Sequence, residues 1–195
     1  MPTPSSGQIS FLNLQNTFGT GSPVSFAQLY RGGTYVPNIT PDNTIPTTGA
    51  ISISNFYGTW GRKTLTFTMN IGSHSSTKTG KGTLYGFGVL SKGGSFGSIS
   101  SNTFLTPNGT MVVQGLYYSA GNGQWHLQLA QSGAAPADTD LSFRQVSIAG
   151  YNINGIRSAR TSTATTGTAR QWGWTVGKSS HPTSGTVACT IQYYG

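Results

Sequence analysis

The chain has 195 residues, which is enough for one ordinary domain and a small accessory module, and only 7% of them are charged, against about 25% in a typical soluble domain. Its 11 Lys and Arg residues outnumber 3 acidic residues, so the net charge of +8 favours anionic partners such as acidic polysaccharide, an acidic protein surface or nucleic acid. The shortage of carboxylates nearly excludes a glycosidase-type acid pair, and the scatter of the basic residues argues against dedicated nucleic-acid recognition.

A six-residue pattern occurs three times near the N-terminus, at Ile9–Leu14, Val24–Leu29 and Ile51–Phe56. Each copy is a β-branched residue, a serine, an apolar residue, a small or apolar residue, an amide and another apolar residue. Serine accepts hydrogen bonds from the N–H groups that begin a helix, and glycine adopts the left-handed conformation that ends one. Because a glycine soon follows each copy, the pattern predicts three short helices that begin at the serines.

Each predicted helix has one apolar edge, because two of its apolar residues are three positions apart. Helices this short are marginal alone in water, so the edges must pack against the rest of the chain or against a partner protein. The sequence therefore predicts that this segment makes assembly contacts. The candidate contact residues are Phe11, Leu14, Phe26, Leu29, Tyr30, Ile53, Phe56 and Tyr57.

After Gly61 the periodicity changes to two, and runs of alternating polar and apolar residues begin. Short alternating runs separated by Gly, Pro, Asn and Ser are typical of a sandwich or barrel. We expect a mainly β protein, with an antiparallel β-sandwich or barrel at residues 62–195 and a small module of short helical turns and loops at residues 1–61. The predicted strands are 64–71, 85–89, 111–118, 125–129, 143–148, 172–176 and 187–193.

Two segments between these strands are predicted to lack strand structure. Residues 102–104 are read as a single turn, and the Ser/Thr/Ala-rich residues 161–168 as an exposed loop. The single cysteine, Cys189, excludes an internal disulfide. It shares the face of its strand with Val187 and Ile191, so we expect a small buried apolar side chain.

Few residues could carry catalysis or hold a metal. Asp138 and Asp140 lie in a turn-like segment, where Asp commonly bonds its own backbone, and we favour that role over a weak calcium site. His74, His126 and His181 have no metal-site spacing, and His126 should point away from the face of its apolar neighbours. No serine has the setting of a nucleophile elbow. We therefore expect no enzymatic activity, no catalytic or metal-binding residues and no cofactor.

Three aromatic residues on predicted strands have two interpretations. Exposed aromatic rings could stack on sugar rings, which makes Trp172, Trp174 and Tyr117 candidate glycan contacts. The alternative is burial between two sheets, since aromatic side chains dominate core burial. We favour the core for the two tryptophans.

The three serine segments and their loops form a longer ordered pattern, through Ile9–Gly19, Pro23–Gly33 and Ile45–Gly58. This pattern resembles a short module that recurs in virion proteins of tailed bacteriophages, and it covers about the first third of the chain. The remainder, with Phe96–Ser100 and Trp172–Trp174, more loosely resembles β-domains found on phage tails and heads.

The resemblance implies a non-enzymatic structural component of a tailed-phage virion, associated with the tail, baseplate or fibre, that displays its β-domain. The alternatives are a capsid decoration protein or a carbohydrate-binding adhesin used in host adsorption. The implied partners are other virion proteins, further copies of the chain and, for an adhesin, a cell-surface glycan. Because the sequence has no signal-peptide pattern and no apolar run of transmembrane length, we expect synthesis in the host cytoplasm, no membrane insertion and a final location in the virion.

Overall fold

Two antiparallel β-sheets form a sandwich in the computed structural model of the protein, and a small module of short helices precedes them. This arrangement confirms the fold class that the sequence predicts. The described residues are 2–36, 38, 42–78, 80–90, 94–131, 135–137, 143–149, 153–156, 159–166, 168–176, 181 and 183–194.

The described residues of the N-terminal module include the α-helix α1 (Phe11–Phe18) and the 3₁₀ helices Phe26–Gln28 and Ile53–Phe56. All three begin directly after the predicted serine, and Gly19 ends α1 in the left-handed conformation, with φ of 68°. In each, the amide side chain three residues after the serine accepts a hydrogen bond from the serine N–H, which is one half of a capping box. These bonds join Ser10 to Asn13 at 2.8 Å, Ser25 to Gln28 at 3.2 Å and Ser52 to Asn55 at 2.8 Å.

The six-residue pattern adds a hydrophobic staple to each cap. Its first residue precedes the serine and its last stands four positions after the serine, and these are the two positions whose apolar side chains meet at a helix start. The fourth-position residues are fully buried, and the residues before the serines pack against the core that they form. The buried residues are Leu14, Leu29 and Phe56, and the residues that pack against them are Ile9, Val24 and Ile51.

The module therefore has a hydrophobic core of its own, which Phe18, Val36 and Ile45 complete. The Phe26 and Phe56 rings are stacked with their centroids 5.9 Å apart, and the Phe18 ring meets Phe56 edge-on at 6.0 Å. The three short helices are thus stabilised by packing against one another, as helices of this length require.

Close contacts tie the module to the start of the sandwich. Gly61 lies against α1, where a β-carbon would overlap a main-chain carbonyl oxygen. The Lys63 ammonium donates a hydrogen bond to the Asn16 carbonyl, and the Arg62 guanidinium donates to the Thr34 carbonyl at 2.9 Å. Main-chain carbonyls of the module therefore hold the first two residues after Gly61, where the sandwich begins.

The sandwich consists of a five-stranded sheet and an eight-stranded sheet, and all of the described strand pairs are antiparallel. The smaller sheet has the order β10 (Ile153–Ile156), β9 (Gln145–Ile148), β13 (Thr186–Tyr194), β1 (Arg62–Asn70) and β5 (Ser98–Ile99). The larger has the order β11 (Ser162–Thr166), β12 (Ala169–Thr175), β8 (Gln124–Gln131), β7 (Gly109–Ser119), β3 (Thr83–Val89) and β2 (Gly72–Ser75). In addition, β4 (Ser95–Phe96) pairs with β3, and β6 (Thr103–Thr106) pairs with β7.

One hydrophobic core lies between the two sheets. The smaller sheet supplies Phe67 and Met69 from β1 and Cys189 and Ile191 from β13, all at most 2% exposed. The alternating residues of β7, β8 and β12 form the opposite layer, which includes Leu116, Tyr118, Trp125, Leu127, Trp172 and Trp174. The predicted burial of Cys189 is confirmed.

All seven predicted strands coincide with observed strands, within a few residues at each end. Two other predictions are wrong: residues 103–106 form β6 rather than a turn, and residues 162–166 form β11 rather than a loop. Both are secured by pairing with a longer neighbour, β7 in one case and β12 in the other. Their own alternation is too weak to reveal that pairing.

Asp42 is a fully buried carboxylate within the N-terminal module. One of its oxygens accepts a hydrogen bond from the Trp60 N–H at 2.8 Å, and Oδ2 has no partner among the described residues. Burial raises the pKa of Asp42 to about 7, although the Trp60 bond and the nearby Arg31 charge act in the opposite direction. The folded protein therefore favours the protonated carboxyl.

We expect Asp42 to make folding stability depend on pH. In the unfolded chain the carboxyl loses its proton near pH 3.8, whereas the folded protein keeps it up to about pH 7. Its contribution is fully present below pH 3.8 and falls as pH rises toward 7, with a limiting slope of about 1.4 kcal/mol per pH unit. Asp42→Asn removes this contribution, so the variant should gain stability relative to the natural chain between pH 4 and 7, measured by urea unfolding. Parallel pH profiles for the two proteins would contradict this prediction.

Candidate functional site

A groove crosses the outer face of the eight-stranded sheet, on the side away from the core. It has a volume of about 550 Å³ and is lined from β2, β3, β4, β7, β8, β12 and the turn between β2 and β3. Its polar and charged lining residues include Lys78, Lys81, Gln114, Tyr117, Gln128 and Gln171.

Strand alternation places these side chains on the outer face. In β8, Trp125, Leu127 and Leu129 point into the core, so His126 and Gln128 point outward, as predicted for His126. In β7 a bulge between Val113 and Gly115 makes Gln114 an extra residue opposite β8, and its side chain lines the groove. Bulges commonly redirect a side chain in this way next to a binding site.

Glycines keep the floor of the groove low enough for flat rings to lie across the sheet. A β-carbon on Gly88 would lie 2.6 Å from the Phe96 ring, and one on Gly173 would lie 3.1 Å from His126 Nδ1. A β-carbon on Gly115 would lie 2.9 Å from Gln128 Oε1. A side chain at any of these positions would therefore crowd or displace a ring or amide of the groove.

A hydrogen-bond network fixes the polar side chains of the floor. The Tyr117 hydroxyl donates to Gln171 Oε1 at 3.0 Å. Gln128 Nε2 donates both to the Tyr117 hydroxyl at 3.1 Å and to Gln171 Oε1 at 2.9 Å. Gln171 Nε2 lies 2.8 Å from His126 Nδ1, and Lys81 Nζ lies 3.3 Å from His126 Nε2. These contacts fix the polar side chains of the groove floor in place, from Gln128 to Lys81.

The protonation states follow from burial. Burial lowers the pKa of His126 to about 3, with a further decrease from the Lys81 charge, so the imidazole is neutral at physiological pH. Burial also lowers the pKa of Lys81, and the Lys78 charge lowers it further. Burial raises the pKa of Tyr117 to about 12, so its hydroxyl keeps its proton. The charge in the network therefore resides on lysine.

Aromatic rings form one wall of the groove. Phe96 and His74 are stacked with centroids 5.7 Å apart, and Phe96 meets Tyr117 edge-on at 6.0 Å. Tyr117 in turn lies 5.3 Å from the His126 ring. The wall thus joins the polar network at Tyr117.

The three predicted glycan contacts have different locations. Tyr117 lines the groove. Trp172 and Trp174 are 0% and 5% exposed between the sheets, so their assignment as glycan contacts is wrong. Their core assignment, which the sequence favoured, is the correct one, because alternation along β12 turns both rings inward.

The predicted assembly contacts also divide into two groups. Leu14, Leu29 and Phe56 are fully buried in the module core, so they cannot contact a partner and that prediction is wrong for them. The physical reason is the hydrophobic staple, which buries the residue four positions after each serine. Phe11 and Ile53 remain 51% and 36% exposed, and Phe26, Tyr30 and Tyr57 are half-buried.

Sequence reasoning missed an exposed apolar residue of the N-terminal module and most of the groove. Leu12 is 62% exposed on α1, beside Phe11. Lys81, Gln128 and Gln171 belong to strands or turns far apart in the chain, and only their pairing in the sheet brings them together. Lys78 and Lys81 are close in the sequence, so their positive charges were the one feature of the groove that neighbouring residues could indicate.

The other residues that the sequence singled out do not form a further site among the described residues. Asp138 and Asp140 lie outside the described residues. His181 stacks on Tyr118 with centroids 4.3 Å apart, on the core side of the sheet. Within the described ranges no group of three His, Cys, Asp or Glu side chains is placed to hold a metal ion. None of the described helices is long and apolar enough to cross a membrane.

Comparison with known proteins found no match: no family model, no curated protein and no solved structure is similar to this chain.

We expect His126 to remain neutral from pH 5 to pH 8, because its pKa is about 3. NMR chemical shifts of its ring should therefore stay constant over this range, whereas the unfolded chain should titrate near pH 6.5. Since the unfolded state binds the proton first, folding stability from this group should fall as pH decreases from 6.5 toward 3. A ring titration midpoint near 6.5 in the folded protein would contradict the buried network.

Proposed function

We propose that the protein is a non-enzymatic structural component of a tailed-phage virion, associated with the tail, baseplate or fibre. Its N-terminal module attaches the chain to the particle, and its sandwich is displayed outward. A position as a capsid decoration protein is the alternative, and the copy number per particle separates the two.

The observation that carries this proposal is the self-packed module with apolar residues left outside. The module orders its short helices with its own core, so it does not need a partner to fold. Phe11 and Leu12 nevertheless remain more than half exposed at one end of α1, and the Phe26 ring lies 5.3 Å from Phe11. Adjacent exposed apolar side chains favour a protein contact, because burying them removes apolar surface from water.

The low charge of the chain supports the same proposal. Of the three acids only Asp42 lies within the described residues, and it is buried. The resulting positive surface favours an acidic neighbour in an assembly. Further copies of the chain are proposed as partners through the apolar patch, since two such patches can bury each other.

We expect Leu12→Ser to lower the number of copies per particle about tenfold, because a buried leucine contributes about 1.5–3 kcal/mol to an interface. The matched control is Leu105→Ser on the sandwich, which removes the same side chain at 48% exposure and should leave the copy number unchanged. A phage that lacks the gene would be complemented with each full-length variant, and the copies per purified particle would be counted by quantitative mass spectrometry. Absence of the natural protein from purified particles would contradict the virion proposal, and equal incorporation of both variants would contradict attachment through α1.

Carbohydrate binding in host adsorption is a second candidate function, which can coexist with the first. The groove favours it, because Tyr117 and Phe96 supply aromatic surface next to amide donors and acceptors. A volume of about 550 Å³ lies within the range of small-ligand sites.

We expect the full-length protein to bind host cells and at least one class of glycan on an array. Free glycan of that class should compete with the cells, since both would occupy the groove. Silence on the array together with no binding to host cells would contradict the adhesin role and would leave the virion role untouched.

A further inference from the structure

Two lysines of the β2–β3 turn line the groove, and no carboxylate of the described residues balances them. Lys81 Nζ faces the neutral His126 ring. Burial lowers the pKa of Lys81, and the Lys78 charge lowers it further. Among the described residues the one carboxylate is that of Asp42, which does not line the groove. An anion bound beside Lys81 would supply the missing opposite charge and would favour its ammonium form.

The remaining surface of the groove suits a ring that carries hydroxyl groups. Amide side chains offer both donors and acceptors, as a hydroxyl group requires of its partners. Gln114, the bulge residue, also lines the groove, where its amide can donate to and accept from a ligand. The Tyr117 and Phe96 rings provide the flat apolar surface beside it.

The floor is already ordered before any ligand binds. Gln128, Gln171 and the Tyr117 hydroxyl hold one another at 2.9–3.1 Å. A ligand therefore does not have to immobilise these side chains, which lowers the entropic cost of binding.

We infer that the groove binds an anionic saccharide, with its ring against Tyr117 and Phe96, its hydroxyl groups at the glutamine amides and its acid group at Lys81. This inference rests on the proposed glycan-binding function and adds the charge of the ligand. The shared chemistry is a sugar with a carboxylate, sulfate or phosphate.

Isothermal titration of the full-length protein tests the inference with three trisaccharides. The probes are trigalacturonate, its carboxyl-reduced neutral counterpart and a sulfated form of that neutral sugar. We expect the carboxylated probe to bind about tenfold more tightly than the neutral one, because a hydrogen bond to a charged group contributes about 1.5–3 kcal/mol. Equal affinity for the two anionic probes also supports the inference and indicates that Lys81 accepts either acid.

Matched charge variants locate the site. Lys81→Gln should lower the affinity for trigalacturonate about tenfold and should leave the affinity for the neutral probe unchanged. Lys78→Gln, at an exposed position where folding does not depend on the side chain, should lower it several-fold. The control is Arg144→Gln, which removes one exposed charge before β9 on the other sheet and should have no effect.

The alternative outcomes are distinct. Equal binding of the neutral and acidic probes, with no effect of either lysine variant, would overturn the inference while the glycan-binding function stands. An equal loss of affinity in Arg144→Gln would also overturn it, because it would indicate unspecific attraction to the net charge. Binding of none of the three probes, together with silence on a glycan array, would contradict both the inference and the glycan-binding function.

Discussion

Several positive side chains of the described residues are held by neutral oxygen atoms, and that constraint shapes the contacts around them. Lys63 and Arg62 bind main-chain carbonyls of the N-terminal module, and Arg170 donates to the Pro136 carbonyl at 2.6 Å. A carbonyl fixes the position of a cation but does not neutralise it, so the charge remains effective at the surface. The helix caps also use neutral acceptors, because Asn and Gln occupy the capping-box position that Glu often takes. A chain built in this way keeps a positive field at its surface.

The staple geometry explains how the same six residues both stabilise the module and leave it able to bind. Nucleating a single helical turn is unfavourable, so each turn needs tertiary contacts. The residue before the serine and the residue four positions after it provide these contacts, which uses two of the three apolar positions. The residue directly after the serine is less constrained: Phe26 packs against the core, whereas Phe11 and Ile53 stay exposed. The exposed apolar surface of α1 is therefore compatible with the local cap.

Sequence reasoning found the elements whose information is local and missed those that depend on pairing. The serine caps and the long alternating strands, such as β1 with Phe67 and Met69 inward, are specified by their own residues. β4 and β5 have two residues each, and β11 is a Ser/Thr-rich edge, so none of them has a readable period. Most of the groove falls in the second class, because Gln128 and Gln171 meet only when β8 pairs with β12.

The side chains on the outer face of the large sheet lower folding stability more than a purely structural surface requires. His126 is fully buried in a neutral form that weakens folding as pH falls, and Lys81 is partly buried beside it with no opposite charge from the described residues. Apolar residues at these positions would cover the sheet without either cost, as replacements of buried polar groups in other proteins indicate. The glycines beneath Phe96 and His126 also forfeit packing in order to admit these rings. Local choices that oppose stability are expected where a surface binds something, so the cost of this layer favours a binding groove over a purely structural role.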